Sequence, residues 1–205
     1  MKNKTEEDIL KLFAFNHKLK FNEIEKCVKE RSNKIAYHLK QLIKKRVIEK
    51  ESKDYMLSDN SEYLIPYLSE KSSILPVVLI HIGNKKTCFL YKRAKRPYKG
   101  LLSLPGGRIL ISESIKKATS RIMKEKFNIS ASLKKINSIS IEQVRKNKKI
   151  LHSFLIIFAS AETKNQVELK NIEKNKKQII KSDYLLLKTD LEKKINIKTI
   201  NTIKI

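Results

Sequence analysis

No apolar run in this 205-residue chain approaches the ~18 residues that a membrane-spanning helix needs. The longest, Ile74 to Ile82, is short, interrupted by Pro76 and His81, and rich in β-branched residues. The first eight residues are polar and acidic where an export signal would carry its apolar stretch. These absences lead us to expect a soluble, unexported, cytoplasmic chain with no membrane partner. Cysteine is nearly missing as well. Cys27 and Cys88 lie far apart and form no CxxC or Cys/His ligand pattern, which leaves free thiols in a reducing compartment. Cys27 is expected on the apolar side of a helix and Cys88 in a strand, both as core filler.

Arginine is the third scarcity, occurring only at positions 31, 46, 93, 96, 108, 121 and 145. The formal charge of +25 is therefore carried mostly by lysine. Two readings stand side by side. One is a footprint for polyanions such as nucleic acid. The other is compositional, because lysine, isoleucine and asparagine are abundant together, as an AT-rich coding sequence would make them. Apolar residues at 40% and charged residues at 33% fit an ordinary globular protein with room for two small domains.

Helical spacing opens the chain. Thr5 with Glu6, Glu7 and Asp8 reads as a capped acidic first turn, followed by Ile9, Leu12 and Phe13 on one face. A second helix is expected over roughly Phe21 to Glu30, with Phe21, Ile24, Cys27 and Val28 inward. Ser32 is placed to cap a third, roughly Asn33 to Lys45, with Ile35, Leu39 and Leu42 inward. Two short strands, Val47 to Lys50 and Tyr55 to Leu57, flank the turn Glu51-Ser52-Lys53-Asp54. A fourth helix is expected from about Ser61 to Leu68.

This order, with Ala36-Tyr-His-Leu-Lys-Gln-Leu and the strand after Asp54, resembles the mainly α winged helix-turn-helix domains of ArsR- and MarR-like regulators. The glycine usual between recognition helix and wing is Arg46 here. The resemblance implies that double-stranded DNA meets the outward face of the third helix and the wing, through Asn33, Lys34, Tyr37, His38, Gln41, Lys44, Lys45 and Lys53. Regulators of this kind often pair, which implies a homodimer. His38 has a second reading, as a buried histidine under the wing.

Residues 69 to 73 are polar, and beyond them the character changes to strands. These are expected at Leu75 to Ile82, Thr87 to Arg93, Leu133 to Ile141, Ile150 to Ala159 and Tyr184 to Leu187, with a helix from about Ser114 to Phe127. The boundaries we draw are a first domain at 1–70, a linker at 71–73, a second domain at 74–190 and a C-terminal helix or tail at 191–205. Between the strands lies a patterned segment. Leu104-Pro105-Gly106-Gly107 is followed after five residues by Glu113 and after seven more by Arg121, with Met123, Glu125 and Ile129 in step. This resembles the box of the Nudix family, which implies an α/β fold with a mixed β-sheet sandwiched by helices.

Nudix hydrolases cleave nucleoside diphosphate derivatives with Mg²⁺ or Mn²⁺ held by glutamates of the box helix, and hard cations need several oxygen ligands. At the three main glutamate positions this chain has Ile122, Glu125 and Lys126. Only Glu125 survives, with the Gly106 carbonyl as its nearest helper. Glu142, Glu162, Glu168 and Glu173 are candidates for partial compensation. An ammonium ~4 Å from a cation costs about 4 kcal/mol at an effective dielectric near 20. No cofactor is therefore expected to be required, and Mg²⁺ or Mn²⁺ enters only if hydrolysis is retained. The residual box residues are Glu113, Arg121 and Glu125. The expected contacts to a nucleotide-like ligand are Arg93, Arg96, Gly106, Gly107, Arg108 and Lys126, with Lys126 set against a phosphate. Three readings remain open: a ligand-controlled DNA-binding regulator, a hydrolase, and a vestigial structural domain.

Overall fold

The computed structural model describes residues 3–68 and 73–199. Residues 71 and 72 of the expected linker and 200–205 of the expected tail lie outside the described residues. The chain forms two compact units, one ending at Ser73 and the other beginning at Ile74.

In the first unit, helix α1 spans Lys4–Leu12, strand β1 Leu19–Lys20, α2 Phe21–Cys27 and α3 Ser32–Lys44. Strands β2 (Ile48–Glu51) and β3 (Asp54–Leu57) follow, and a 3-10 helix runs over Asp59–Tyr67 where an α-helix was expected. The three strands pair in the order β1-β3-β2. Asn3, not Thr5, caps α1: its side chain accepts the Thr5 N–H at 3.0 Å, while Thr5 is buried and its hydroxyl donates to Glu30. Buried Ile35, His38, Leu39 and Leu42 mark the inner stripe of α3, at i, i+3, i+4 and i+7. They meet Ile9 and Phe13 of α1 and Ile24 of α2 in one core. Cys27 is exposed, contrary to expectation, because α2 ends there and Ile24 and Val28 take the inward positions.

Arg46 follows α3 with φ of 57°, the left-handed conformation that a side chain disfavours. Its carbonyl accepts the Ser58 hydroxyl at 2.7 Å, which ties this turn to the end of β3.

The second unit is built on a mixed four-stranded sheet, order β8-β4-β10-β9. β4 is Leu75–His81, β8 Gly106–Arg108, β9 Ala131–Lys146 and β10 Lys149–Thr163. β4 and β10 run parallel, and the other pairs are antiparallel. Helix α4, Ile115–Phe127, covers one face and α5, Lys181–Thr189, the other. Alternation along β4 makes the two cores: Val78 and Ile80 pack with Ala118, Ile122 and Met123 of α4, while Leu79 packs with Leu186 and Leu187 of α5. The expected strand at Thr87 to Arg93 is broken at Leu90 into β5 (Thr87–Phe89) and β6 (Tyr91–Lys92), which pair with β11 (Leu169–Asn171) and β7 (Leu102–Ser103).

Tyr184 to Leu187 is not a strand but the middle of α5. Asp183, Leu186 and Leu187 are buried and Leu185 is 59% exposed, a helical period hidden in a short apolar run. Past α5, Ile195 bridges to Ile136, and the Leu191 carbonyl accepts from Lys135 and Asn137. Among the described residues no helix is long and apolar enough to cross a membrane.

Candidate functional site

Strand β8 and helix α4 bring the box residues together. Gly106 and Gly107 serve close approach and not a turn: neither has a positive φ. A Cβ on Gly106 would stand 2.8 Å from the Val78 carbonyl oxygen, and one on Gly107 3.0 Å from Ile122. Glycine lets β8 lie between β4 and α4 with its carbonyl open to the helix.

Arg121 is the hub of the loop that follows. Its Nε and Nη2 donate to the two oxygens of Glu113 at 2.8 and 2.6 Å, Nη2 also donates to the Arg108 carbonyl at 2.9 Å, and Nη1 reaches Glu125 at 3.3 Å. Glu113 further accepts the Leu110 N–H at 2.6 Å. The Arg121 hydrogen bonds hold the Glu113 carboxyl below its ordinary range, and Glu113 in turn raises Arg121. This is a bidentate clasp between loop and helix, a structural role. Asn128 closes α4 in the left-handed conformation, φ 54°.

The three positions at which the box resemblance expects carboxylates stand in three different settings. Ile122 is fully buried in the core under the sheet. The Glu125 side chain is 61% exposed and leans on Arg121. Lys126 is exposed, and its ammonium donates to the Gly106 carbonyl, joining α4 to β8. Burial, then Arg93, Arg121 and Lys95, push the Lys126 pKa down, while Glu125 opposes them. This donor set does not fit a hard divalent cation: one carboxylate is tied to a guanidinium, and the carbonyl that would assist it is taken by an ammonium. Among the described residues no group of three or more His, Cys, Asp or Glu side chains is placed to hold a metal. Of the four compensating glutamates, Glu142 lines the same cavity as Glu125, and Glu162 lies elsewhere, accepting from the Ser132 hydroxyl at 3.5 Å. Glu168 and Glu173 pair with Lys170 and Lys188.

Gly106, Gly107, Arg121, Glu125 and Lys126 border a cavity of about 520 Å³. Its cations are Arg93, Lys95, Arg108, Arg121 and Lys126; its carboxylates are Glu125, Glu142 and Asp183; Leu75, Val77, Phe154 and Ile156 are among its apolar walls. The Arg93 Nε donates to the Pro97 carbonyl at 2.8 Å, which holds the preceding loop over the cavity. Arg96 is exposed in that loop and is not among the residues lining the cavity.

Sequence reasoning missed Lys95, Tyr98 and Asp183, and assigned Glu142 only a compensating role. Asp183 sits in the first turn of α5, which reads as a strand from sequence. One oxygen accepts the Leu104 N–H at 2.8 Å and the Ser103 hydroxyl at 3.0 Å. Burial pushes its pKa up to about 6 against those two hydrogen bonds. Tyr98 donates to Glu142 at 3.0 Å. Burial also pushes the Cys88 thiol up to about 12, with the Asp183 charge adding to it, so this cysteine is inert.

In the first unit, Asn33, Lys34, Tyr37 and Lys44 of α3 are exposed and Gln41 is half-buried, along one stripe. Lys53 is exposed in the turn between β2 and β3. Two residues expected on that stripe face elsewhere. His38 is only 6% exposed, between Asn3 at 3.3 Å and Glu6 at 3.4 Å, because position 38 falls on the inward stripe of α3. Lys45 pairs with Glu6 of α1 at 2.8 Å.

No protein-family model and no curated protein matches the chain. Parts of solved structures are similar to it. A NUDIX hydrolase from Nitrosomonas europaea is 17% identical over 58% of this chain and 70% of that one, TM-score 0.46. The MutT protein of Methanosarcina mazei Go1 is 18% identical over 58% of this chain and 94% of that one, TM-score 0.47. The NUDIX domain of Shewanella oneidensis NrtR, solved with ADP ribose, is 17% identical over 57% of this chain and 85% of that one, TM-score 0.44.

Proposed function

We propose that this chain is a DNA-binding regulator whose C-terminal unit, a Nudix-like domain with a degenerate box, binds a nucleotide-type ligand without a divalent metal. The observation that carries the proposal is the Lys126 ammonium on the Gly106 carbonyl, inside a cavity rimmed by four further cations. A fixed positive charge stands where a hydrolase of this kind needs a metal ion. It can neutralise a phosphate, but it cannot lower the pKa of a bound water as a metal does. Arg93, Lys95 and Arg108 add to the phosphate-binding charge, Arg121 being held by Glu113 and Glu125, and the apolar walls suit a planar ring.

The order helix, strand, helix, helix, strand, strand in the first unit supports a winged helix-turn-helix reading, with α3 as the recognition helix. The stripe Asn33, Lys34, Tyr37, Gln41 and Lys44 supplies groups for base edges and phosphates, and Lys53 extends it into the wing. His38 and Lys45 hold α1 against α3. A homodimer belongs to the same reading, and sedimentation velocity measures it. The functional test is a duplex-DNA binding isotherm with and without nucleoside diphosphate derivatives, in EDTA. The proposal expects a ligand-dependent shift of DNA affinity; DNA affinity that no such ligand alters contradicts it.

A second reading, a residual hydrolase, has one observation in its favour: Glu125 and Glu142 border the same cavity. It expects turnover with Mg²⁺ or Mn²⁺ that disappears on Glu125→Gln.

A further inference from the structure

The hairpin of β9 and β10 is longer than the sheet it belongs to. β10 first pairs with β4 at Phe154, opposite Leu75, so residues 143–153 continue past the sheet as a ribbon of two strands. At ~3.3 Å per residue, the five β10 residues before Phe154 give it a length on the order of 15 Å. Every residue from Arg145 to His152 is exposed. The ribbon contains Arg145, Lys146, Lys148 and Lys149 and no carboxylate.

Two features set this apart from the general lysine bias. Lys146 and Lys149 face each other directly across the two strands, an arrangement that costs stability unless an anion lies between or beside them. Among the described residues, none of the four cations is in an ion pair, and the Arg145 guanidinium is oriented by a 2.7 Å bond to the Gln143 side-chain oxygen. Some cations of this unit are paired, Lys170 with Glu168, Lys188 with Glu173 and Lys193 with Asp190, and many are not, so the facing lysines and the absence of any carboxylate on the ribbon are what distinguish it. On the ribbon the charge is left open, beside exposed Ile150 and Leu151.

We infer that the β9–β10 ribbon is a second nucleic-acid contact of this chain, entering the major groove of duplex DNA with Arg145, Lys146, Lys148 and Lys149 on the flanking phosphates. A B-form major groove, roughly 12 Å wide and 8.5 Å deep, admits a two-stranded ribbon. The deep, narrow major groove of duplex RNA does not, which commits the partner to DNA. The contact is independent of α3 and uses neither the cavity nor its ligand.

The test measures binding of the full chain to a labelled DNA duplex by fluorescence anisotropy across a salt series. Each cation on a phosphate contributes ~0.9 to the slope of log K against log salt, so replacing all four by glutamine flattens the slope by about 3.6. The matched control replaces the exposed Lys164, Lys174, Lys176 and Lys177 by glutamine and is expected to flatten it by less than half as much. Equal flattening in both variants overturns the inference, as does an equal loss with duplex RNA, which would reduce the ribbon to general polyanion attraction. A second measurement needs no variant: bound DNA is expected to slow acetylation of Lys146, Lys148 and Lys149 relative to Lys174 and Lys177, and an absence of protection contradicts the ribbon. Loss of binding in Tyr37→Ala together with an unaltered ribbon variant would leave the α3 reading standing and remove this one. No DNA binding by the unaltered chain would remove both.

Discussion

Ile122, Lys126 and Asp183 each make a different physical demand on the second unit. Ile122 sits fully buried against the sheet, so the carboxylate that the box resemblance puts there cannot be restored by substitution alone. Ile122→Glu is expected to cost about 3 kcal/mol or more of stability, because burying a charge in an apolar core is expensive. Urea denaturation measures it, and a loss under ~1 kcal/mol would mean that the position reaches solvent.

Asp183 is the residue to follow by pH. Its folded pKa, about 6, lies above the ordinary aspartate value of 3.8, so the folded chain holds this proton more tightly than the unfolded one. The stability this contributes is fully present below 3.8 and is lost as pH rises through about 6. A shift of about two pKa units corresponds to about 3 kcal/mol. The depressed carboxylates, Glu113 among them, slope the other way, so the informative quantity is a difference. Asp183→Asn keeps an acceptor for the Leu104 N–H and is expected to gain stability relative to the unaltered chain between pH 4 and 6. A pH-independent difference would contradict the assignment.

At the scale of elements, the turn after α3 shows how a sequence signal can be read correctly and still leave its consequence open. The missing glycine at position 46 was visible in the sequence; that Arg46 nevertheless adopts the left-handed conformation, held by Ser58, was not. Relief of that conformation by glycine is worth ~1–2 kcal/mol, against ~0.5–1 kcal/mol for the greater freedom of an unfolded glycine. Arg46→Gly is therefore expected to raise stability by about 0.5–1 kcal/mol in a thermal or urea melt. A loss would mean that the arginine side chain makes a contact worth more than the strain.

The same scale explains what was legible. α3 and α4 carry long periodic stripes with polar surroundings, and their extents were read to within a residue or two. α5 was lost because Tyr184-Leu-Leu-Leu is continuously apolar, and a run of four has no period to separate helix from strand. With α5 went Asp183, which a strand reading gave no reason to place in the cavity. Tyr98 was missed for another reason: it is brought to the cavity by a loop whose path is set by bonds such as that from the Arg93 side chain to the Pro97 carbonyl, and no periodicity reports those. The box residues were found because their spacing is a pattern in the chain, yet the chain alone did not show that the Lys126 ammonium donates to the Gly106 carbonyl.

The molecule pairs a small helical unit presenting a polar stripe on α3 with an α/β unit whose cavity is lined by five cations and three carboxylates. A charge of +25 draws such a chain to any polyanion, so DNA affinity by itself says little, and its salt dependence and response to ligand say more. The central claim concerns the cavity: a lysine ammonium has replaced the metal as the counter-charge for phosphate. The most direct measurement is calorimetric titration of ADP and ADP-ribose into the chain, in EDTA and again with Mg²⁺, beside Lys126→Glu. The account predicts binding in EDTA, no gain on adding Mg²⁺, and at least a tenfold loss on Lys126→Glu. Binding that appears only with Mg²⁺, or that strengthens when Lys126 becomes a carboxylate, would contradict it.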